Sequence, residues 1–270
     1  MKIRLWQTQG MRYILIALLL APTLAIAPAR ATDPSELSVA AAADLSFCLD
    51  ALDAEFTKAN PGTQVQVATG ASGNFYAQIQ NGAPFDVFLS ADMDYPRKLT
   101  ESGDADAKSL SLYAVGHLAL WSTNPAVDPA KGLAVLTDPQ VKKLAIANPE
   151  HAPYGRSARA ALEQAGLWDK LQDKIVLGEN IAQTAQFVQS GNADAGLVAY
   201  SLLKSPKLAD VGRYWLLPED SYPRQNQGVV ITKHGAANPL AAKYLAFLSS
   251  PAARKVFEQY GFLLPQAPAH

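Results

Sequence analysis

The sequence has a single cysteine, Cys48, among its 270 residues. One thiol excludes an internal disulfide framework, a redox-active cysteine pair and any metal site with several thiolates. A surplus of basic residues is also missing, because 23 Lys and Arg stand against 24 Asp and Glu. A nucleic-acid-binding surface needs such a surplus to neutralise phosphates, so we expect no nucleic-acid partner.

Long apolar runs are absent after the amino terminus, where no stretch approaches the roughly 18 residues of a membrane-spanning helix. The amino terminus itself has basic residues, then a short apolar run at 13–27, then small residues at Ala27, Ala29 and Ala31. This order is typical of a secretory signal peptide, and no cysteine stands at the cleavage point to take a lipid. We expect cleavage after Ala31 and a soluble periplasmic protein. Loss of the four basic residues in 1–31 lowers the net charge from −1 to −5.

The remaining chain alternates β-rich runs with helical patterns. An apolar stripe at helical spacing predicts the first helix (Leu45, Cys48, Leu49, Leu52 and Phe56). The other predicted helices include 73–80, 95–102, 156–165 and 181–190, and the predicted strands are 37–42, 65–68, 85–89, 144–147, 175–177, 195–199 and 228–232. Such alternation predicts an α/β fold with mixed, mostly parallel sheets flanked by helices, and a binding crevice at the carboxyl ends of the strands.

Polar crossings at 113–122 and 221–227 divide this pattern into two units. We therefore expect two lobes with a cleft between them. The predicted division is a signal peptide at 1–31, lobe 1 at 32–115 plus 226–270, and lobe 2 at 116–225.

Two loops in the first unit have the features of an anion site. The small residues of 40–43 lead directly into a helix at Asp44, and Ser72 precedes another helix. Helix starts offer unpaired N–H groups with partial positive charge, and the Ser72 hydroxyl is a further donor. The alternative is structural, with Asp44 and Ser72 serving only as helix N-caps.

A third loop, 148–155, is rich in proline and opens a helix in the second unit. Tyr154 either points into the cleft or packs on its own lobe. His151 in the same loop has no His or Cys partner at metal-ligand spacing, so we expect no metal ion held directly by side chains. Ser201 and Lys204 fit an acylase-like S-x-x-K pattern, but its companion motifs are missing.

These loops, in this order, resemble the periplasmic molybdate-binding proteins of ABC transporters, the ModA family. The resemblance rests on six segments that cover nearly all of the mature chain: 41–45, the Ser72 loop with 76–79, 81–92, 148–155, 194–198 and 260–262. It implies a two-lobed type II periplasmic binding protein fold that holds one oxyanion with neutral donors.

The resemblance also implies the ligand-binding residues, which fall on Ala43, Asp44, Ser72, Tyr154 and Ile181, the last through its backbone N–H. Two positions depart from the family pattern. Ala199 stands where some members have a tyrosine, and Tyr200 is one residue too late. Tyr154 is then expected to compensate for the missing hydroxyl.

Asp44 is the second departure, because an ionised carboxylate repels an anion and has no proton to donate. Our interpretation is that its side chain turns back to cap the helix and that only its N–H faces the ligand. The alternative is a protonated carboxyl that donates to the anion.

The expected function is capture of molybdate, and also of tungstate, by a monomer without a cofactor that delivers the oxyanion to an ABC permease in the inner membrane. One alternative is a binder of another oxyanion such as sulfate. A second is a ferric-ion binder that uses Tyr154 and Tyr200. An enzyme is the alternative of a different class, but Cys48 lies on the apolar stripe, so we expect no catalytic residues.

Overall fold

The computed structural model describes residues 35–265, and the predicted signal peptide and cleavage site lie outside this range. A first five-stranded sheet has the order β2-β1-β3-β10-β4. Its strands are β1 (Glu36–Ala42), β2 (Gln64–Gly70), β3 (Val87–Ser90), β4 (Ser111–Gly116) and β10 (Gln225–Ile231). Only β10 runs against the others, because β1, β2 and β3 pair in parallel and β10 is antiparallel to β3 and β4.

The second sheet repeats this arrangement with the order β7-β6-β8-β5-β9. Here β5 is the reversed strand, antiparallel to β8 and β9, while β6 is parallel to β7 and β8. The strands are β5 (Leu118–Ser122), β6 (Leu144–Ala147), β7 (Ile175–Gly178), β8 (Ala195–Ala199) and β9 (Arg213–Leu216). The prediction of mixed, mostly parallel α/β sheets is therefore confirmed.

Helices connect the strands and flank the sheets. They are α1 (Leu49–Ala59), α2 (Ser72–Gln80), α3 (Asp94–Ser102), α4 (Pro153–Gln164), α5 (Trp168–Leu171), α6 (Ile181–Gln189), α7 (Tyr200–Leu203), α8 (Pro239–Leu248) and α9 (Pro251–Gln259). In the part of the chain that the structure describes, none of them is long and apolar enough to cross a membrane.

Three boundaries differ from the sequence prediction, and each affects the site. The helix expected from Leu45 is a short 3₁₀ turn over Ala43–Leu45, and α1 begins only at Leu49. Helix α4 begins at Pro153 rather than near residue 156, because proline is favourable in the first turn. Strand β10 begins at Gln225, so Gln227 belongs to a buried strand and not to a polar crossing.

The chain passes between the sheets after Gly116 and again before Gln225. Both sheets turn the carboxyl ends of parallel strands toward one another, since the segments that follow β1, β2, β6 and β7 line a common cavity. The helices that begin there are short of backbone acceptors for their first N–H groups. The fold therefore collects unpaired N–H donors from two sheets at one place.

Candidate functional site

The cavity between the sheets is small, with about 10 Å³ of space open to the centre of a water-sized sphere. All five residues predicted to bind a ligand line it: Ala43, Asp44, Ser72, Tyr154 and Ile181. Its other lining residues are mostly small, namely Ala42, Gly70, Ala71, Ala91, Ala152, Pro153 and Asn180. None of these lining residues from the described range is Lys, Arg or His, so the cavity offers hydrogen-bond donors without a countercharge.

Ser72 is the first residue of α2, and the N-cap is Ala71. The alternative that Ser72 is only an N-cap is therefore wrong. Its Oγ accepts a hydrogen bond from the backbone N–H of Ala91 at 3.0 Å. Between residues 35 and 265 the structure shows no acceptor for its hydroxyl proton, and Ser72 is 1% exposed. The hydroxyl is thus a fixed donor available to a ligand in the cavity.

Ile181 begins α6, and Asn180 decides which N–H of that helix stays free. The Asn180 Oδ1 accepts from the N–H groups of Ala182 and Gln183, both at 3.0 Å. The N–H of Thr184 donates to the Asn180 carbonyl at 3.1 Å. The backbone N–H of Ile181 is left for a ligand, as the prediction for this residue requires.

Tyr154 lies in the first turn of α4, after Pro153, which has no N–H. Gly155 and Arg156 both donate to the Ala152 carbonyl, which leaves the N–H of Tyr154 without a partner in the described chain. The side chain is 1% exposed, and its hydroxyl accepts from Gln227 Nε2 at 3.3 Å. The same hydroxyl also hydrogen-bonds the Asp44 carboxyl, so the N–H of Tyr154 is the group left to face a ligand, and a role of the hydroxyl toward the ligand stays a prediction.

Asp44 lies in the 3₁₀ turn after β1, where the first N–H groups have no acceptor within the turn. Its side chain makes no helix-capping hydrogen bond, so the predicted N-cap role is wrong. The carboxylate Oδ2 instead accepts a hydrogen bond from Gln227 Nε2. The Asp44 carbonyl accepts from Ser201 Oγ of the second unit at 2.7 Å. The Asp44 side chain points into the protein interior, where the Gln227 amide on β10 is the donor within reach.

Burial is the main influence on this carboxyl group. It raises the pKa of Asp44 from 3.8 to about 6, while the hydrogen bond from Gln227 and the nearby Tyr154 hydroxyl oppose the rise. Burial, and then the charge of Asp44, raise the pKa values of Tyr154 and Tyr113. Both phenols therefore stay protonated at neutral pH.

Gln227 and Tyr113 were missed at the sequence level. Tyr113 donates its hydroxyl to Gln227 Oε1 at 2.7 Å, which holds the Gln227 amide toward Asp44. Gln227 is 0% exposed and lies in β10, where the pairing with β4 shifts register between Gln227 and Gly228. Residues 225–227 are all polar, so no apolar alternation marked them as part of a strand.

Contacts between the two units surround the cavity. The Gly73 N–H donates to the His151 carbonyl at 2.8 Å, and Ser157 Oγ donates to Gln225 Oε1 at 2.6 Å. Arg156 forms an ion pair with Asp92. The units are thus closed over the cavity in this structure.

Tyr200 does not line the cavity, and its hydroxyl lies 3.4 Å from that of Tyr214. Ala199 is fully buried at the end of β8. Across residues 35–265 no cluster of three or more His, Cys, Asp or Glu side chains is placed to hold a metal ion. The ferric-ion alternative therefore lacks the tyrosine pair that it requires.

Comparison with known proteins gives three concordant likenesses. The family model described as bacterial extracellular solute-binding protein matches residues 37–263, which include every residue of the cavity. The chain is 40% identical over 228 residues to the molybdate-binding protein ModA of Rhodobacter capsulatus, covering 84% of this chain and 88% of that protein. It is 42% identical over 233 residues to the ModA protein of Azotobacter vinelandii, covering 86% and 91%.

The solved structure of the Azotobacter vinelandii periplasmic molybdate-binding protein has the same fold. It matches with a TM-score of 0.80 at 36% sequence identity, covering 85% of this chain and all of that one. The likeness extends over both sheets and over the cavity between them.

Proposed function

The chain belongs to the family of bacterial extracellular solute-binding proteins, and from this membership we propose that it captures molybdate in its cavity and delivers it to an ABC importer. Its fold is the two-lobed type II fold of periplasmic binding proteins. The chain is a binding protein rather than an enzyme, as its relatives are.

The observation that carries the proposal is the convergence of unpaired donors on one small cavity without a cation. Ala43, Asp44, Ser72, Tyr154 and Ile181 line the space, and their backbone N–H groups, with the Ser72 hydroxyl, are the donors that we propose for the ligand. Each hydrogen bond to a charged ligand contributes about 1.5–3 kcal/mol. A handful of them exceeds the cost of association by enough for a dissociation constant of about 1 μM or tighter.

The donors also give selectivity. The N–H and Ser72 hydroxyl donors cannot accept the O–H group of a protonated oxyanion such as hydrogen phosphate, and the Asp44 carboxylate is the one side-chain acceptor of that kind in the lining, so most positions of this O–H group leave it unpaired. Molybdate and tungstate are tetrahedral dianions without such a proton, and we propose that both bind. Sulfate has the same charge, and the size of the cavity is what selects against it.

The remaining parts of the proposal concern how the protein works as a transport component. The periplasmic protein is a monomer with no cofactor and no nucleic-acid partner, and it docks on the permease in its closed form. The lobes are 32–115 plus 226–270 and 116–225, a division supported by the residues of the two sheets. Cleavage after Ala31 releases the protein, and mass spectrometry of exported protein tests this by the presence or absence of residues 1–31.

Isothermal titration calorimetry on the desalted mature protein tests the proposed function. We expect saturable one-to-one binding of molybdate and tungstate and much weaker binding of sulfate and of phosphate. Sulfate binding at least as tight as that of molybdate would indicate the other oxyanion as substrate. A coloured ferric complex without molybdate binding would indicate an iron carrier.

A further inference from the structure

Asp44 brings a carboxylate into a cavity otherwise built of neutral donors. Its side chain is 1% exposed, and Oδ2 accepts from Gln227. The other oxygen, Oδ1, is buried and has no hydrogen-bond partner among residues 35–265. A buried carboxylate oxygen without a partner is costly, and Asp44 lines the space that the ligand would occupy.

The groups that face Asp44 come from four directions, and none is a cation. They are Gln227 on β10, Tyr154 on α4, Tyr113 on β4 and the Cys48 thiol before α1. Asp92, the next acidic group near this network, is paired with Arg156. Nothing from these elements compensates a negative charge on Asp44 when an anion enters.

Two negative groups in one small cavity repel each other, whereas a carboxylic acid has a proton to donate. We propose that Asp44 is protonated when the oxyanion is bound, and that its Oδ1–H donates to an oxyanion oxygen. Each oxyanion dianion therefore enters together with one proton from the solvent, and no other bond forms or breaks. This inference rests on the proposed function.

The free protein is poised for this uptake. Because burial already raises the pKa of Asp44 to about 6, the group is mostly ionised at pH 7.5 but gains a proton readily. The bound anion raises the pKa further. Affinity is therefore constant well below pH 6 and falls as the pH rises above it, by up to about tenfold per pH unit.

Calorimetry in two buffers with different ionisation enthalpies, such as HEPES and Tris at pH 7.5, counts the protons. We expect uptake of nearly one proton per molybdate by the wild type and nearly none by Asp44→Asn, which keeps an amide donor. Protonation of molybdate itself is common to both proteins and cancels in the comparison. The affinity of Asp44→Asn should not depend on pH between 6 and 8.

Asp53→Asn is the matched control. Asp53 is another mostly buried carboxyl with its pKa raised by burial to about 6, but it pairs with Tyr244 on α8 and does not line the cavity. Its substitution should leave proton uptake on binding unchanged.

Binding without proton uptake, or equal uptake by wild type and Asp44→Asn, would overturn the inference. No binding at any pH would contradict the proposed function itself. If Asp44→Asn fails to fold, carbon NMR of the Asp44 carboxyl in the wild type decides. A pKa that rises above 8 with molybdate supports the inference, and one that stays near 6 overturns it.

Discussion

Replacement of Ser72 by alanine removes the only side-chain hydroxyl that the cavity offers as an unengaged donor among the described residues. The substitution leaves the backbone of α2 intact, because Ala71 rather than Ser72 is the N-cap. The lost hydrogen bond to a charged ligand is worth about 1.5–3 kcal/mol. The dissociation constant for molybdate should rise about 10- to 150-fold.

The same substitution has a second effect that does not depend on the ligand. The Ala91 N–H loses its acceptor, Ser72 Oγ, in the free and the bound protein alike. A buried unpaired N–H costs about 1–3 kcal/mol, which should lower the free energy of unfolding but not the affinity. Unfolding in urea without ligand measures this part separately.

Calorimetry at one fixed pH measures the affinity, and Ser190→Ala is the control. Ser190 is an exposed serine outside the cavity, whose hydroxyl donates to the Phe187 carbonyl at 3.3 Å and accepts from Asn192 Nδ2 at 2.9 Å. Both contacts are exposed to solvent, so its removal should leave the affinity unchanged and the stability nearly so. An affinity for Ser72→Ala equal to that of the wild type, together with reduced stability, would refute the reasoning. Ser72 would then serve only to hold Ala91.

Three further predictions follow from the same contacts. Tyr154→Phe keeps the backbone N–H and should still bind molybdate. The pH midpoint of binding should move upward, because the Tyr154 hydroxyl, which lowers the pKa of Asp44, is lost. An unchanged midpoint would count against the contact between Tyr154 and Asp44. Asp44→Asn should raise the free energy of unfolding of the empty protein at pH 7.5 by up to about 3 kcal/mol, since a carboxyl with its pKa raised from 3.8 to about 6 destabilises the fold increasingly between these two pH values and fully above the higher one; urea unfolding should show the full gain at pH 7.5 and about 1 kcal/mol at pH 4.5. Molybdate should close the lobes over the cavity, and small-angle scattering should show a smaller radius of gyration with ligand than without it.

Two of the donor loops could be predicted from local sequence. Small residues at the end of a strand, followed by the start of a helix, mark the 40–44 loop and the Ser72 loop without knowledge of the rest of the chain, whereas Ile181 followed only from the family resemblance. The family resemblance added the order of the loops. The role of the neighbouring Asn180 was not predicted. Its side chain accepts from the N–H groups of Ala182 and Gln183 and so leaves the N–H of Ile181 free.

The orientation of Asp44 was not predictable from local sequence. The capping interpretation weighed only its own turn, whereas its partner Gln227 lies 183 residues later on another strand. The nearby Pro223 and the polar residues 225–227 made that stretch look like a crossing. The carboxylate bonds to a residue distant in sequence rather than to its own turn, because the Gln227 amide, which Tyr113 holds in place, is the donor within reach.

A crystal structure of the mature protein with molybdate tests the central claim most directly. We predict one anomalous molybdenum peak in the cavity. The oxyanion oxygens should lie about 2.5–3.0 Å from Ser72 Oγ and about 2.7–3.2 Å from five backbone nitrogens, those of Ala43, Asp44, Ser72, Tyr154 and Ile181. A peak at any other place, or oxygens held by a lysine or arginine side chain, would contradict it.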